Sequence, residues 1–220
     1  RHFQAMAISR GAMIAYRCKV VGIIKVAGGF QVSFQDCEGS SCFRTHFLIN
    51  AAGLHADRLA AMAGIDIDDA GYRLHYCKGE YFSLSRTYTT RLIYPVPGAD
   101  EGGLGVHVTL DLQGRARLGP NAIYVDRIDY TVDEGHLDAF YEAALKLLPS
   151  VRREELAPDY AGVRPKLQGE GQPFRDFVIR HEVDRGLYGL INLIGIESPG
   201  LTASPAIARY VAQLLEEIAR

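Results

Sequence analysis

Phe47-Leu48-Ile49-Asn50-Ala51-Ala52-Gly53, running into LHADRLAAMAG at residues 54–64, predicts a buried strand, a turn of small residues and a short helix. Small residues let a backbone approach a ligand closely, and the first N–H groups of a helix lack intrahelical partners. Such a turn is a typical contact for the phosphates of a nucleotide cofactor. Neither G-x-G-x-x-G after a strand nor G-x-x-x-x-G-K-[ST] occurs in the 220 residues. The stretch therefore predicts one contact of a cofactor site without its main phosphate-binding turn.

Composition narrows the class of protein. The 48% hydrophobic content of the chain is enough for a substantial core. A net charge of −2 and the lack of a basic run argue against nucleic-acid binding and favour a small-molecule partner. The longest apolar run, residues 187–196, is too short for a membrane span. We expect a cytoplasmic protein, and peripheral membrane association and an upstream targeting sequence stay open.

The four cysteines form no C-x-x-C pair. We expect reduced thiols, because the chain is too poor in cysteine for a disulfide scaffold. Two weaker alternatives are a Cys37–Cys42 disulfide and a zinc site of Cys37, Cys42 and His46, which lacks a fourth ligand at usable spacing.

The chain begins like a helix entered part-way along, at residues 1–11. Strands are predicted at residues 12–16, 19–26, 30–34 and 42–49, with Gly28-Gly29 as a hairpin signal, which makes a small antiparallel meander that leads into the opening motif. Further strands are predicted at residues 72–76, 79–84, 91–94, 105–110, 116–118, 160–164, 177–180 and 187–193.

Two helices follow from apolar residues at i, i+3, i+4, i+7, i+8 and i+11, over residues 137–148 and 207–218. Ser204 suits the N-cap of the second helix and Pro205 its first position. A glycine-bearing loop, residues 195–202, precedes it. Taken alone, this loop is either an ordinary capped loop or a second place where backbone donors meet a polarised ligand.

Together, these motifs resemble the FAD-dependent oxidases and dehydrogenases typified by D-amino-acid oxidase. The resemblance rests on Asn50-Ala51-Ala52-Gly53, Gly162-Val163-Arg164-Pro165 and the loop 195–202. The sequence is most similar to the L-2-hydroxyglutarate dehydrogenase/oxidase branch, through Lys78-Gly79-Glu80-Tyr81-Phe82, Tyr94-Pro95-Val96-Pro97, Leu104-Gly105-Val106-His107-Val108-Thr109, Leu118-Gly119-Pro120-Asn121-Ala122 and Glu197-Ser198-Pro199-Gly200-Leu201-Thr202.

The resemblance implies FAD as cofactor, with the N-terminal phosphate-binding fingerprint absent from this chain. It implies a mixed α+β and α/β fold, in which a mostly antiparallel substrate-domain sheet accompanies the returning part of an FAD-binding domain. The predicted segments are an FAD-domain part at 1–70, a substrate domain with a helix at 71–157 and the returning FAD-domain segment at 158–220. The implied cofactor contacts are Val20, Val21, Asn50, Ala51, Ala52, Gly53, Gly195, Ile196, Glu197, Ser198, Pro199, Gly200, Leu201 and Thr202.

For the substrate side, Arg164 is the strongest candidate, because a guanidinium fork holds a carboxylate bidentately and the family uses the arginine of this strand in that way. The alternative is a salt-bridged surface arginine. His107 is a candidate base for the substrate hydroxyl, unless the missing N-terminal part supplies it. Tyr94, Tyr81 and Lys78 are weaker cavity candidates. Lys78 is alternatively a solvated strand residue and Tyr81 a core residue.

These residues predict oxidation of a small 2-hydroxy acid of the L-2-hydroxyglutarate type by hydride transfer to the flavin, with a quinone or oxygen as acceptor. We expect the chain to be a fragment, inactive alone. The alternatives are oxidation of an amino acid or amine and a non-catalytic binding module that lost FAD. No metal site is expected, and His75, His136 and His181 are not at metal-ligand spacing.

Overall fold

The computed structural model describes residues 1–96 and 105–218. The motif residues Pro97 and Leu104 lie outside these ranges. The helices are α1 (His2–Ser9), α2 (Ala56–Met62), α3 (Leu137–Leu147) and α4 (Gly200–Ile218). The strands are β1 (Lys19–Val26), β2 (Gly29–Asp36), β3 (Gly39–Thr45), β4 (Leu48–Asn50), β5 (His75–Leu84), β6 (His107–Leu110), β7 (Ala116–Gly119), β8 (Ile123–Val125), β9 (Leu156–Lys166), β10 (Val178–His181) and β11 (Leu190–Ile194).

The chain divides into two compact units. The first comprises Arg1–Tyr72, Val178–Ile194 and Ala203–Arg220, and the second comprises Arg73–Phe177 and Gly195–Thr202. The predicted boundary near residue 70 falls close to the end of the first of these segments. By contrast, β9 pairs with β5 inside the second unit, although the sequence assigned residues 158–166 to the returning FAD-domain segment.

The first unit contains two small sheets. Strands β1, β2 and β3 form an antiparallel meander, in which Phe30 and Val32 of β2 are buried. The order of the other sheet is β10-β11-β4, and its β11–β4 pair is parallel. The meander predicted for the first fifty residues is therefore confirmed, but β4 belongs to the other sheet.

The second unit is built on an antiparallel sheet of order β6-β7-β5-β8, with β9 paired to β5. Its core packs α3 against the sheet. Phe140 and Ala144, four residues apart on one face of α3, are buried, and the Phe140 ring lies 4.6 Å from that of Phe82 on β5. The α3 prediction from apolar spacing is confirmed.

Five local predictions differ from the structure. Residues 12–16 form no strand, because no described strand pairs with them and they are exposed. Residues 42–49 are split at His46 between β3 and β4, and residues 91–94 make only a single bridge, Ile93 to Val108. Helix α4 begins at Gly200 and carries Pro205 inside it, so Ser204 is not its N-cap. The two strands predicted at 72–76 and 79–84 are one strand, β5, with an irregularity between Glu80 and Phe82.

Candidate functional site

The second unit carries a cavity of about 700 Å³ against the β5–β9 pair. Cys77 lies directly opposite Arg164, and Gly79 directly opposite Gly162. Since alternate residues of a strand share one face of a sheet, Lys166 projects from the same face as these residues. The lining residues are Cys77, Lys78, Gly79, Gly105, Val106, His107, Pro120, Asn121, Ala122, Ala143, Arg164, Lys166, Ser198 and Pro199.

Two cations and one anion meet at the β9 wall of this cavity. Glu197 Oε1 accepts a hydrogen bond of 3.0 Å from Lys166 Nζ, and Glu197 Oε2 lies 3.5 Å from Arg164 Nη1. The side chains of Lys166 and Glu197 are 11% and 8% exposed, whereas that of Arg164 is 41% exposed. Lys166 therefore neutralises Glu197 at close range, and the looser Arg164 contact leaves one net positive charge at the cavity wall.

Cys77 shares this wall. Burial raises the pKa of its thiol, although the positive charges of Lys166 and Arg164 oppose the shift. The thiol is thus protonated and unreactive at neutral pH. All four cysteines are free, so the Cys37–Cys42 disulfide is not formed. Within residues 1–96 and 105–218, no cluster of three or more His, Cys, Asp or Glu side chains is arranged to hold a metal ion.

Lys78 is an internal ion-pair partner rather than a solvated strand residue. Its ammonium donates to Glu80 Oε1 at 2.9 Å, to Asp129 Oδ2 at 3.2 Å and to the Thr131 carbonyl at 3.0 Å. These three contacts account for all three ammonium hydrogens. Only by breaking one of them would Lys78 be able to bind a ligand.

Glu80, which is fully buried, is the centre of this network. It also accepts hydrogen bonds from Asn121 Nδ2 at 3.0 Å, from the Asp133 N–H at 3.1 Å and from His136 Nδ1 at 2.6 Å. Burial alone would raise the pKa of Glu80, but the hydrogen bonds, led by that from Lys78, bring it below its ordinary value. The network therefore fastens the segment before α3 to β5 through an ionised carboxylate.

His107 lines the cavity and is buried, and its ring stacks on that of Tyr94 with 4.3 Å between centroids. Its neighbour Val108 is fully buried in the core, so the two side chains point to opposite faces, as the sequence predicted. His107 Nδ1 lies 3.0 Å from the Gly105 carbonyl. Because a carbonyl only accepts, Nδ1 carries the hydrogen in the neutral ring and the Nε2 lone pair is left to accept a proton.

Tyr81 stacks on Tyr160 of β9 with 4.6 Å between ring centroids. Burial raises the pKa of Tyr81 to about 12, so its hydroxyl stays protonated. Tyr160 precedes Arg164 by four residues on the same face of β9, because alternate residues share a face. Tyr81 is half-buried, which is intermediate between a core residue and a cavity residue.

In the first unit, buried side-chain hydrogen bonds hold the turn that follows β4. Asn50 is buried, and its Nδ2 donates to Asn192 Oδ1 at 2.8 Å and to the Ala56 carbonyl at 2.7 Å, while its Oδ1 accepts from the Ala52 N–H at 3.3 Å. Asn192 Nδ2 in turn donates to Glu182 Oε1 at 2.9 Å. The Asn50 side chain thus holds the turn itself.

This network extends to two further side chains. Glu182 Oε1 also accepts from the Tyr72 hydroxyl at 2.7 Å, and Arg185 Nη1 lies 3.0 Å from Glu182 Oε2. The turn is less buried than the network behind it, with Ala51 exposed and Ala52 and Gly53 partly exposed. Gly53 has φ +56°, and a Cβ there would meet no atom of the described residues within 4 Å. The turn therefore offers open backbone, as a ligand-binding turn requires.

On β1 of the same unit, Val20 is partly exposed and Val21 is 40% exposed. In the second unit, the loop 195–202 leads into the start of α4. Gly195 has φ +72° and packs on Leu167, Ile196 is partly exposed, and Leu201 is 89% exposed at the first turn of the helix. Ser198, Pro199 and Thr202 are exposed. An apolar surface at the positive end of a helix suits a flat ring with a polar, electron-rich edge.

The first unit has a parallel strand–turn–helix with open backbone, and the second has an antiparallel sheet beside a positively charged cavity. Together, these features are typical of cofactor-dependent enzymes. The sequence matches the family described as FAD dependent oxidoreductase over residues 1–214. The chain belongs to this family, and its cofactor is FAD. The open turn at Gly53 and the apolar helix start at Leu201 both fit that group.

Individual relatives support the assignment. The chain is 40% identical over 185 residues to the mitochondrial L-2-hydroxyglutarate dehydrogenase of Arabidopsis thaliana, covering 76% of this chain and 37% of the relative. It is 30% identical over 219 residues to the glycerol 3-phosphate dehydrogenase of Caloramator mitchellensis, covering 97% of this chain and 42% of the relative. The chain thus spans less than half the length of either.

Among solved structures, the chain is similar to the FAD-bound, dithionite-reduced L-alpha-glycerophosphate oxidase of Mycoplasma pneumoniae. The TM-score is 0.77 and the identity 26%, over 96% of this chain and 53% of that one. This similarity confirms the predicted mixed fold of an FAD-linked oxidoreductase. No helix in the described part of the chain is long and apolar enough to cross a membrane.

Sequence reasoning missed several polar residues on which the site depends. Lys166 follows the quoted motif 162–165 and Glu80 lies inside the quoted motif 78–82, but neither had an assigned role. Glu182 directly follows β10, and Asn192 lies in β11, which the sequence presents as an apolar strand. The single useful signal was Asn192 inside the apolar run 187–196, because a buried amide requires partners.

Proposed function

We propose that this chain supplies the substrate-binding sheet and part of the FAD site of an oxidoreductase that oxidises a small 2-hydroxy acid of the L-2-hydroxyglutarate type. The observation that carries the proposal is the charge arrangement at the β9 wall. There Arg164 is half exposed to the cavity and is only loosely engaged by Glu197, which Lys166 already neutralises. A wall with one spare positive charge favours an anionic ligand.

Arg164 is proposed to bind a substrate carboxylate. Its guanidinium presents a fork of donors whose spacing matches a carboxylate, and the 3.5 Å contact with Glu197 leaves most of that fork available. Lys166 holds the Glu197 carboxylate, so that Glu197 does not compete fully with the substrate for Arg164. Because Lys166 engages Glu197, Arg164 is available to hold one substrate carboxylate at the cavity wall and so to orient the substrate.

His107 is proposed to accept the hydroxyl proton of the substrate. The hydrogen bond from Nδ1 to the Gly105 carbonyl fixes the neutral tautomer with an unprotonated Nε2. Stacking on Tyr94 restricts rotation of the ring. Neither Tyr94 nor Tyr81 lines the cavity, so Tyr94 is proposed to act by holding the His107 ring and Tyr81 by stacking on Tyr160. Lys78 is proposed to act by holding Glu80 and the segment before α3 rather than by touching substrate.

FAD, when bound, supplies the acceptor for the hydride that leaves the hydroxyl-bearing carbon. The residues proposed to hold FAD are Val20, Val21 and the backbone of residues 50–53 in the first unit, and the loop 195–202 in the second. The Asn50 side chain contributes by holding its turn through Ala52 and Ala56. The electron acceptor is proposed to be a quinone or oxygen.

A second candidate substrate is glycerol 3-phosphate. This substrate is favoured by the similarity to the glycerol 3-phosphate dehydrogenase of Caloramator mitchellensis, which extends over 97% of this chain. The two cations at the cavity wall would also suit a phosphate. Amino-acid or amine oxidation would use the same carboxylate clamp. A 2-hydroxy acid, glycerol 3-phosphate and an amino acid each carry an anionic group that the cavity wall can hold, and they differ in the group that loses hydride.

The test uses the FAD-loaded protein that contains this chain. L-2-hydroxyglutarate, glycerol 3-phosphate, glycine, sarcosine and proline are compared as reductants of the flavin under anaerobic conditions. Reduction by L-2-hydroxyglutarate supports the proposal, and reduction only by another substrate contradicts it. Arg164→Ala should raise KM about 30-fold, as expected for loss of one charge-assisted anchor, with flavin content unchanged. Arg115→Ala, which removes an exposed arginine paired with Asp111, is the matched control. An unchanged KM in Arg164→Ala would remove Arg164 from the site.

A further inference from the structure

Gly162 lies in the middle of β9, between Tyr160 and Arg164 on the same face. Its φ is outside the left-handed region, so any residue can adopt its backbone conformation. A Cβ built at this position meets no atom of residues 1–96 and 105–218 within 4 Å. Glycine weakens a strand interior, because it adds no packing and has the largest entropy loss on folding. Neither backbone geometry nor packing against this chain therefore explains the glycine.

The other glycines of this sheet have such an explanation. At Gly79, directly opposite Gly162 on β5, a Cβ would lie 2.8 Å from the Pro120 Cβ. At Gly119, φ is +141° and a Cβ would lie 2.6 Å from the Glu80 carbonyl oxygen. These two positions exclude a side chain because protein atoms occupy the space. Gly162 faces open space instead.

The surroundings of Gly162 indicate what would occupy that space. Arg164 follows it by two residues on the same face, which corresponds to about 6.6 Å along a strand. Tyr160 precedes it by two residues and stacks on Tyr81. The gap thus lies between a half-exposed cation and an aromatic pair, on the face that the cavity-lining residues Cys77 and Gly79 also share. A ligand that is anchored on the cation by a carboxylate, and whose carbon chain continues towards the aromatic pair, fits this arrangement.

We infer that Gly162 determines substrate size, because the missing side chain leaves room for the carbon chain of a carboxylate ligand anchored at Arg164. The inference rests on the proposed function for the assignment of a small carboxylate to this cavity. A side chain at position 162 would occupy the same volume as the ligand without disturbing the fold. A substitution at position 162 is therefore expected to weaken ligand binding without lowering the stability of the protein.

The experiment compares Gly162→Ala and Gly162→Val with the wild-type, FAD-loaded protein. The probe is glutarate, a dicarboxylate without a hydroxyl group to oxidise, and its binding is followed by perturbation of the visible flavin spectrum. Ala157→Val, an addition at an exposed position of the same strand, is the matched control. In Gly162→Val, we expect the glutarate Kd and the substrate KM to rise about tenfold or more, with a smaller rise in Gly162→Ala. Flavin content and thermal midpoint should not fall.

An unchanged glutarate Kd in Gly162→Val would overturn the inference, and so would loss of flavin at an unchanged thermal midpoint, since the space would then belong to the cofactor. If the valine variant does not fold, the alanine variant decides by the same criteria. The wild-type substrate comparison tests the proposed function separately. A wild type that binds glutarate but oxidises only amines contradicts the proposed function, while the valine-to-wild-type ratio of Kd still tests Gly162.

Discussion

The variant Asn192→Asp tests whether the buried hydrogen bonds that support the cofactor turn have the donors and acceptors described above. Asn192 and Glu182 are both fully buried, and Asn192 Nδ2 lies 2.9 Å from Glu182 Oε1. In Asn192→Asp, two carboxylate oxygens would meet at that distance. At an effective dielectric constant of about 20, two unit charges so close repel by about 6 kcal/mol. Keeping the new carboxyl protonated at pH 7, against a reference pKa of about 3.9, costs about 4 kcal/mol.

Protonation is the smaller cost, so the introduced aspartate should be a neutral acid in the folded variant and donate to Glu182. Its folded pKa is then raised above its unfolded value. Because the folded-state pKa is the higher one, the destabilisation is absent below about pH 4 and grows as pH rises. It reaches about 1.5 kcal/mol at pH 5 and about 4 kcal/mol at pH 7. Urea denaturation of the FAD-loaded protein at pH 5 and pH 7, followed by circular dichroism, measures this difference.

The double variant Asn192→Asp with Glu182→Gln restores a donor–acceptor pair, because the introduced glutamine amide then donates to the introduced aspartate. We expect it to recover most of the stability lost at pH 7. Tyr72→Phe, which removes a different hydrogen bond to Glu182, is the control and should cost about 1 kcal/mol at both pH values. Equal destabilisation of Asn192→Asp at the two pH values, together with no recovery in the double variant, would refute the assigned network.

Two further predictions concern the second unit. His107→Gln should lower kcat about a hundredfold or more, because the base is lost, while flavin content and KM change little. Steady-state kinetics and the flavin spectrum measure these quantities. An unchanged kcat would show that another group is the base. Glu80→Gln should destabilise the protein by about 3 kcal/mol at pH 7, because Lys78 loses a buried partner. The pKa of Glu80 is lowered in the folded state, so its contribution is present above the ordinary carboxyl value and is lost as pH falls through the folded pKa. Denaturation midpoints of wild type and variant should therefore converge in acid, and a constant difference would contradict the ionised state of Glu80.

The elements that the sequence predicted correctly are those that local pattern determines. The predicted bounds of β1 agree with the structure, and α3 follows its apolar spacing. The strand predicted at residues 12–16 does not form because a strand needs a partner, and among the described strands β1 pairs with β2 alone. The α4 start fails because capping preference at Ser204 is local, whereas the helix already begins at Gly200 after the loop.

The candidate site shows the same division. The sequence singled out Arg164 and His107, and the structure places both on one cavity. It did not single out Lys166, whose relevance depends on pairing with Glu197 across 31 residues. The turn at Asn50 was found from its small residues, but the support from Asn192 was not. Contacts between residues so distant in sequence leave no local pattern, and only a buried polar residue in an apolar run hints at them.

The parallel pairing of β4 with β11 affects the order in which this sheet is completed during synthesis on the ribosome. Asn50 and Asn192 are separated by 142 residues, and the entire second-unit segment Arg73–Phe177 is synthesised between them. At about 5–20 residues per second, β4 leaves the ribosome on the order of ten seconds before its partner. During that interval the β4 edge that pairs with β11 lacks this partner. The cofactor turn is therefore synthesised well before the Asn192 side chain that helps to hold it.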